Sequence, residues 1–324
     1  MAVGRFDGDG EDDLALGGGA GDPGRLFSNL GQGQFLAYGS SLFGDAGAVA
    51  DGPLATLDVV ADGDLDLLAT KAGIAASPDD AIYRPRIWLN DGTGRFTAGP
   101  ADLVPSLRSS VGAVAVADFE HTGRAGVFVG GRVVPGRYPE AAPSALLASR
   151  DGKLVDVTAE VAPQLAAAGM VTAALWSDVD ADGWVDLLVA FDWGPVRCFR
   201  NIEGRRLEDA SERLGFTGGG TGWWRSLAAG DFNGDGRLDY AAGNVGLNTL
   251  YRASAKEPAV MYAGVVLEGS APQLVEAQAK GGRWYPLRAR EVLTRAFPSL
   301  AKRFPTAESF ATAELGDVFP GDAL

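Results

Sequence analysis

The chain has 324 residues, 46% of them hydrophobic, with 46 glycines, enough to bury a core while making many turns. Its formal net charge of −14 disfavours long-range attraction of nucleic acid. A single cysteine, Cys198, excludes an intramolecular disulfide framework, and no apolar run of about 18 residues or more is present to span a membrane.

The start, Met1 to Arg5, lacks the charged and apolar regions of a signal peptide and runs almost directly into an acidic loop. We therefore expect a piece of a longer exported protein whose signal lies elsewhere. That loop spans 5–13, with Asp7, Asp9 and Asp13 at its third, fifth and ninth positions and Arg5 at its first. A hairpin signal follows over 26–35. The pattern returns at 58–66, where Asp58, Asp62 and Asp66 stand at positions one, five and nine and Val60 replaces the third-position oxygen, and a second hairpin signal covers 88–96. At 118–126 the loop keeps Asp118 but loses its ninth carboxylate to Gly126, with a hairpin at 147–154.

Two copies are intact: Asp178, Asp180, Asp182 and Asp186 in one, and Asp231, Asn233, Asp235 and Asp239 in the other. Oxygens at positions one, three, five and nine, a backbone carbonyl expected at seven (Trp184 and Arg237), and glycine at six suit a hard cation such as Ca²⁺ better than Mg²⁺. An EF-hand would need a glutamate at position twelve and a following helix; Val189 and Ala242 stand there instead, within short apolar runs that read as strands. A sixth alignment, 264–272, keeps little beyond Glu268 and is expected to hold no metal. First positions at 5, 58, 118, 178 and 231 recur every 53 to 60 residues, with a last interval of 33.

Each repeat thus reads strand, acidic loop, strand, connection, strand, tight turn, strand, with the fourth hairpin at 198–207. Four antiparallel strands per repeat predict an all-β propeller of six blades, or seven if terminal strands combine, over 1–280. The strands before the loops, 112–117 and 226–230, are rich in alanine and glycine, which suits a crowded position near a central axis. Intervals this long argue against a β-solenoid.

These loops, turns and spacings resemble FG-GAP or VCBS repeats, the calcium-loop blades also found in integrin α-chains. Three stretches, 129–139, 221–227 and 243–248, are similar to the bacterial branch of secreted VCBS-repeat proteins related to cartilage acidic protein. The resemblance implies a calcium-stiffened extracellular or cell-surface propeller, generally without demonstrated chemistry. We expect two to four structural Ca²⁺ ions.

Beyond 281 the pattern becomes helical. Val292, Leu293, Ala296 and Phe297 share a face, Leu300 and Phe304 continue the stripe, and Thr306 is placed to cap a further helix through Phe310, Leu315 and Val318. Seven basic residues between 280 and 303 against Glu291 alone predict a basic extension, 281–324, that docks on the propeller or binds a partner.

Catalysis finds little support. His121, the only histidine, lies inside a degraded loop, one His and one Cys do not make a zinc site, and Glu140, Asp192 and Glu203 are the unassigned loop acids. Trp193, Trp223, Trp224, Arg132, Arg137 and Tyr138 form the candidate ligand surface; their alternative role is packing between blades or closing a loop. The expected function is non-enzymatic interaction with a protein or glycan. The alternative is a carbohydrate-active or lectin-like propeller using the same loops.

Overall fold

The computed structural model describes residues 1–38, 47, 49–78, 80–107, 109–264 and 273–319. It divides into two compact units, Met1–Asn244 and Val245–Leu324.

The first unit contains four consecutive four-stranded antiparallel meanders. They are β1–β4 (Ala2–Gly4, Asp13–Leu16, Arg25–Asn29, Phe35–Tyr38) and β5–β8 (Asp51–Leu57, Asp66–Lys71, Arg86–Asn90, Phe96–Ala98). Then come β9–β12 (Ser110–Ala117, Gly126–Val133, Ala145–Arg150, Lys153–Asp156) and β13–β16 (Met170–Ser177, Asp186–Gly194, Arg197–Ile202, Arg206–Asp209). A fifth begins with β17 (Gly222–Gly230) and β18 (Asp239–Asn244). No described strand pairs with the outer edge of β18, so the fifth repeat shows two strands here. Residues 245–258 form turns and bends in place of the next hairpin.

In the second, third and fourth sheets the second strand is apolar without alternation because both of its faces are covered. Leu67 and Leu68 in β6, Val127 and Phe128 in β10, and Leu187 through Ala190 in β14 are all inaccessible to solvent. Successive sheets stack face to face through them. Phe6, Leu26, Leu54 and Leu67 join the first to the second sheet, Leu68, Ile87, Val127 and Leu147 the second to the third, and Phe128, Leu146, Leu187 and Phe199 the third to the fourth. Each such side chain, fully buried, contributes about 1.5–3 kcal/mol.

The first strands β1, β5, β9, β13 and β17 lie against one another in series. Close approach explains their small residues: a Cβ on Gly112 would stand 1.9 Å from the Val171 carbonyl oxygen. All four expected hairpins form. Their turns use left-handed residues such as Asp151 and Gly152, whose φ angles of 48° and 74° match the right-handed twist of the flanking strands.

In the second unit, β19 (Ala259–Gly264), β20 (Gln273–Lys280) and β21 (Arg283–Pro286) form a three-stranded sheet. Helices α1 (Arg290–Ala296), α2 (Leu300–Arg303), α3 (Ala307–Ala311) and α4 (Leu315–Val318) share one core with it, through Val275, Ala277, Leu293, Leu300, Phe304, Leu315 and Val318. The boundary therefore falls at 244/245 rather than the expected 280/281, because β20 buries its apolar residues against the helices. Thr306 caps α3 as expected, accepting from the Ser309 amide, whereas Val292 is half exposed and off the apolar face. Arginines of the basic stretch pair internally, Arg283 with Glu314 at 2.6 Å and Arg288 with Glu276.

Burial raises the Glu276 carboxyl, but the bonds from Arg288 and Tyr251 outweigh it and hold the group below its ordinary value. A depressed folded value contributes stability that is present above the unfolded value and is lost as pH falls through the folded one. The second unit is thus expected to weaken in acid below the ordinary glutamate range, and Glu276→Gln to flatten that dependence in thermal melts.

Candidate metal centre at the aspartate loops

All five described loops, 5–13, 58–66, 118–126, 178–186 and 231–239, join the first strand of a sheet to its second. They share one backbone conformation. Position four is left-handed in each (Gly8, Ala61, His121, Ala181, Gly234), and so is position six (Gly10, Gly63, Gly123, Gly183, Gly236). Glycine adopts this conformation without the Cβ penalty that Ala61, His121 and Ala181 carry.

The first-position aspartate offsets that strain by accepting amides from the turn. Asp178 takes the Asp182 and Gly183 N–H groups at 3.1 and 2.9 Å. Asp58, Asp118 and Asp231 make equivalent bonds, to Gly63, Gly123 and Gly236 among others. In Asp231 the Gly236 amide is the chief cause of a carboxyl held below its usual range.

The ninth-position aspartate is a tie between strands. Asp186 is fully buried, accepting from Val179 N at 3.0 Å on one oxygen and from Asn201 N at 2.8 Å on the other. Asp66 repeats this with Val59 and Asn90, and Asp13 with Phe6 and Asn29. The asparagine then reaches the preceding sheet: Asn90 Nδ2 donates to the Phe6 carbonyl at 2.9 Å and Asn201 Nδ2 to that of Phe119 at 2.8 Å. Burial pushes the carboxyls of Asp66 and Asp186 up, despite these amide bonds.

The third position faces the third strand, and the two are matched in chemistry. Asp7 accepts from Ser28 at 2.9 Å. Val60 and Leu89 both pack on the apolar cluster between the second and third sheets. Glu120 holds Arg150 through two bonds of 2.5 and 2.6 Å. Asp180 pairs with Arg200, which also reaches Asp182 at 2.7 Å.

Among the described residues, one loop gathers its acids. Asp178, Asp180 and Asp186 each offer an oxygen within 4.8 Å of the others. The Asp180 Oδ1 atom is buried with no hydrogen-bond partner, an orphaned acceptor of the kind a hard cation satisfies. The residues at 178–186 therefore fit calcium. Asp182 turns instead to Arg200 and to the Trp184 amide, and the Trp184 ring stacks on His121 at 3.9 Å. At 231–239, Asn233 donates to Asp235 and the Asp239 carboxylate accepts from Phe232 N, without such a grouping. The acids at 5–13 and 58–66 are likewise not gathered: Asp9 and Asp62 accept from Glu11 and Asp64 within their own turns. Of the sixth alignment only Gly264 lies within the described residues.

The opposite ends of the second strands bring together part of the candidate ligand surface. Asp192, buried at the end of β14, takes Arg132 from β10 at 2.9 Å and Arg225 from β17 at 3.1 Å, linking three successive repeats. Trp193 donates to the Tyr138 hydroxyl at 2.8 Å and meets Trp223 edge-on, with ring centroids 5.2 Å apart. Arg137 and Trp224 belong elsewhere, pairing with Glu140 and the Gly220 carbonyl. The central places of Asp192 and Arg225 were missed; the signal was an acid closing the otherwise apolar run Leu187–Phe191. Cys198 is buried, and burial drives its thiol up to about 12.

No curated protein matches the chain. Residues 178–242, from the first aspartate of one intact loop into the strand after the other, match the family model described as an FG-GAP-like repeat.

Proposed function

We propose that the chain is a calcium-stabilised β-propeller module that binds a protein or glycan outside the cell or at its surface, without catalysing a reaction. The observation that carries this reading is the single loop conformation repeated between the first two strands of five successive sheets. Calcium would be held by Asp178, Asp180 and Asp186, and with fewer gathered acids by Asp231, Asn233, Asp235 and Asp239. It supplies charge neutralisation to carboxylates that burial or crowding disfavours. The loop ends are thereby stiffened, and recognition falls to the other ends of the strands. There Trp193, Trp223 and Tyr138 offer amphipathic rings beside Arg132 and Arg225, a combination that suits a sugar or a protein anchor.

Extracellular calcium modules bind at about 10⁻⁴–10⁻³ M, so 1 mM calcium adds about 0.4–1.4 kcal/mol per occupied loop. Thermal melts in chelator and in millimolar calcium should differ by a few degrees, and Asp180→Ala combined with Asp235→Ala should remove most of the shift. An equal melting temperature in both conditions for the unmodified chain would reject the calcium reading.

A further inference from the structure

We infer that Arg200 is a tethered cation that competes with calcium for the 178–186 loop, holding that loop in shape without metal and lowering its affinity for it. The inference rests on the calcium reading above.

Arg200 precedes Asn201 on β15, and Asn201 is pinned: fully buried, its amide is bonded to Asp186 and its side chain to the Phe119 and Val185 carbonyls. The guanidinium is therefore delivered to one place. Its Nε meets Asp180 Oδ2 and its Nη2 meets Asp182 Oδ2 at 2.7 Å. Asp180 is thus divided: Oδ2 serves Arg200, while the carboxylate also belongs to the gathered set with Asp178 and Asp186 and leaves Oδ1 orphaned. An ion taken up by that set would share one carboxylate with a guanidinium. Two positive charges so placed repel, and the arginine is also drawing negative charge from two of the four loop acids.

One arginine reaching two loop acids is particular to this sheet among the described residues. The residues that precede the corresponding third-strand positions elsewhere are Ser28, Leu89 and Ala148, all neutral, and Arg150, which pairs with Glu120 alone among the described residues, serves a loop that has lost its ninth carboxylate. No ion pair reaches Asp231, Asp235 or Asp239 among the described residues. The planar fork of the arginine spans two carboxylates at once, whereas a lysine there would keep the charge but not the fork. The two sequence-intact loops are therefore chemically unequal: one carries its own counter-charge, and the other does not.

The test uses terbium as a calcium probe, excited through Trp184, which stands in the 178–186 loop, whereas the seventh residue of the other intact loop is Arg237. Calcium competition against terbium luminescence is measured for the unmodified chain, Arg200→Gln and Arg200→Lys, alongside melts in chelator and in millimolar calcium. We expect Arg200→Gln to bind at least about tenfold tighter, since even a partly screened charge at this range is worth that factor. The same variant should melt lower than the unmodified chain in chelator, with the gap closing in calcium, and Arg200→Lys should stay close to the unmodified affinity. Unchanged or weaker binding by Arg200→Gln, while the unmodified chain binds, would overturn the inference and make Arg200 a residue that positions Asp180. Absence of binding in all three proteins would overturn the calcium reading itself, and this inference with it.

Discussion

Asp186→Ala is expected to destabilise the Met1–Asn244 unit by about 3 kcal/mol in chelator, far more than Asp182→Ala. Asp186 has no exposure, and its two oxygens are the acceptors of the Val179 and Asn201 amides. Removing it leaves two backbone N–H groups without acceptors, each costing about 1–3 kcal/mol when buried. Some of that is returned, because burial disfavours the carboxylate it removes, as its raised carboxyl shows. The loss also loosens Asn201, whose Nδ2 bond to Phe119 ties the fourth sheet to the third. Asp182 accepts from Arg200 and the Trp184 amide at the surface, so its loss should cost about 1 kcal/mol or less. Urea unfolding followed by tryptophan fluorescence separates the two; equal effects would mean that the ninth position acts only as a metal ligand.

Gly126→Asp restores the acidic motif on paper and is expected to destabilise the same unit by about 3 kcal/mol or more. A Cβ at Gly126 would lie 2.4 Å from Phe119 Cε1 and 2.7 Å from the Leu147 carbonyl oxygen. Neither can yield cheaply: the Phe119 ring is buried and stacked on Trp176 with centroids 5.5 Å apart, and Leu147 is held in β11. The asparagine partner is also missing, since Ser149 stands in its place and donates to the Ala125 carbonyl at 2.6 Å. The loop at 118–126 is a different solution with Glu120, Arg150 and Ser149 as its supports. A neutral or stabilising Gly126→Asp in the same urea assay would instead show an eroded copy open to repair.

The strand, loop and hairpin order was readable because each element has its own local signal. Glycine marks the sixth loop position, left-handed pairs such as Asp151–Gly152 mark turns, and uninterrupted apolar runs such as Leu187–Phe191 mark strands covered on both faces. What escaped reading was the division of labour among the loop acids. A ninth-position aspartate looks like a ligand in sequence, since tying two amides and binding a cation both call for a carboxylate. The clue was paired change: Asp13, Asp66 and Asp186 occur with Asn29, Asn90 and Asn201, and Gly126 occurs with Ser149. Val60 likewise reads as a defect until Leu89 is found on the same apolar cluster. Arg200 is 20 residues from Asp180, and only the pairing of β14 with β15 brings them together. The boundary at 244/245 was hidden because β19–β21 carry strand signals like those before them, while their core partners lie in the helices that follow.

Isothermal titration of calcium into chelator-treated protein counts bound ions without reference to stability. Two to four ions per chain are expected, with Asp180→Ala removing one. No heat of binding at millimolar calcium would contradict the calcium reading, leaving the loops as turns held by amide bonds and Arg200 alone.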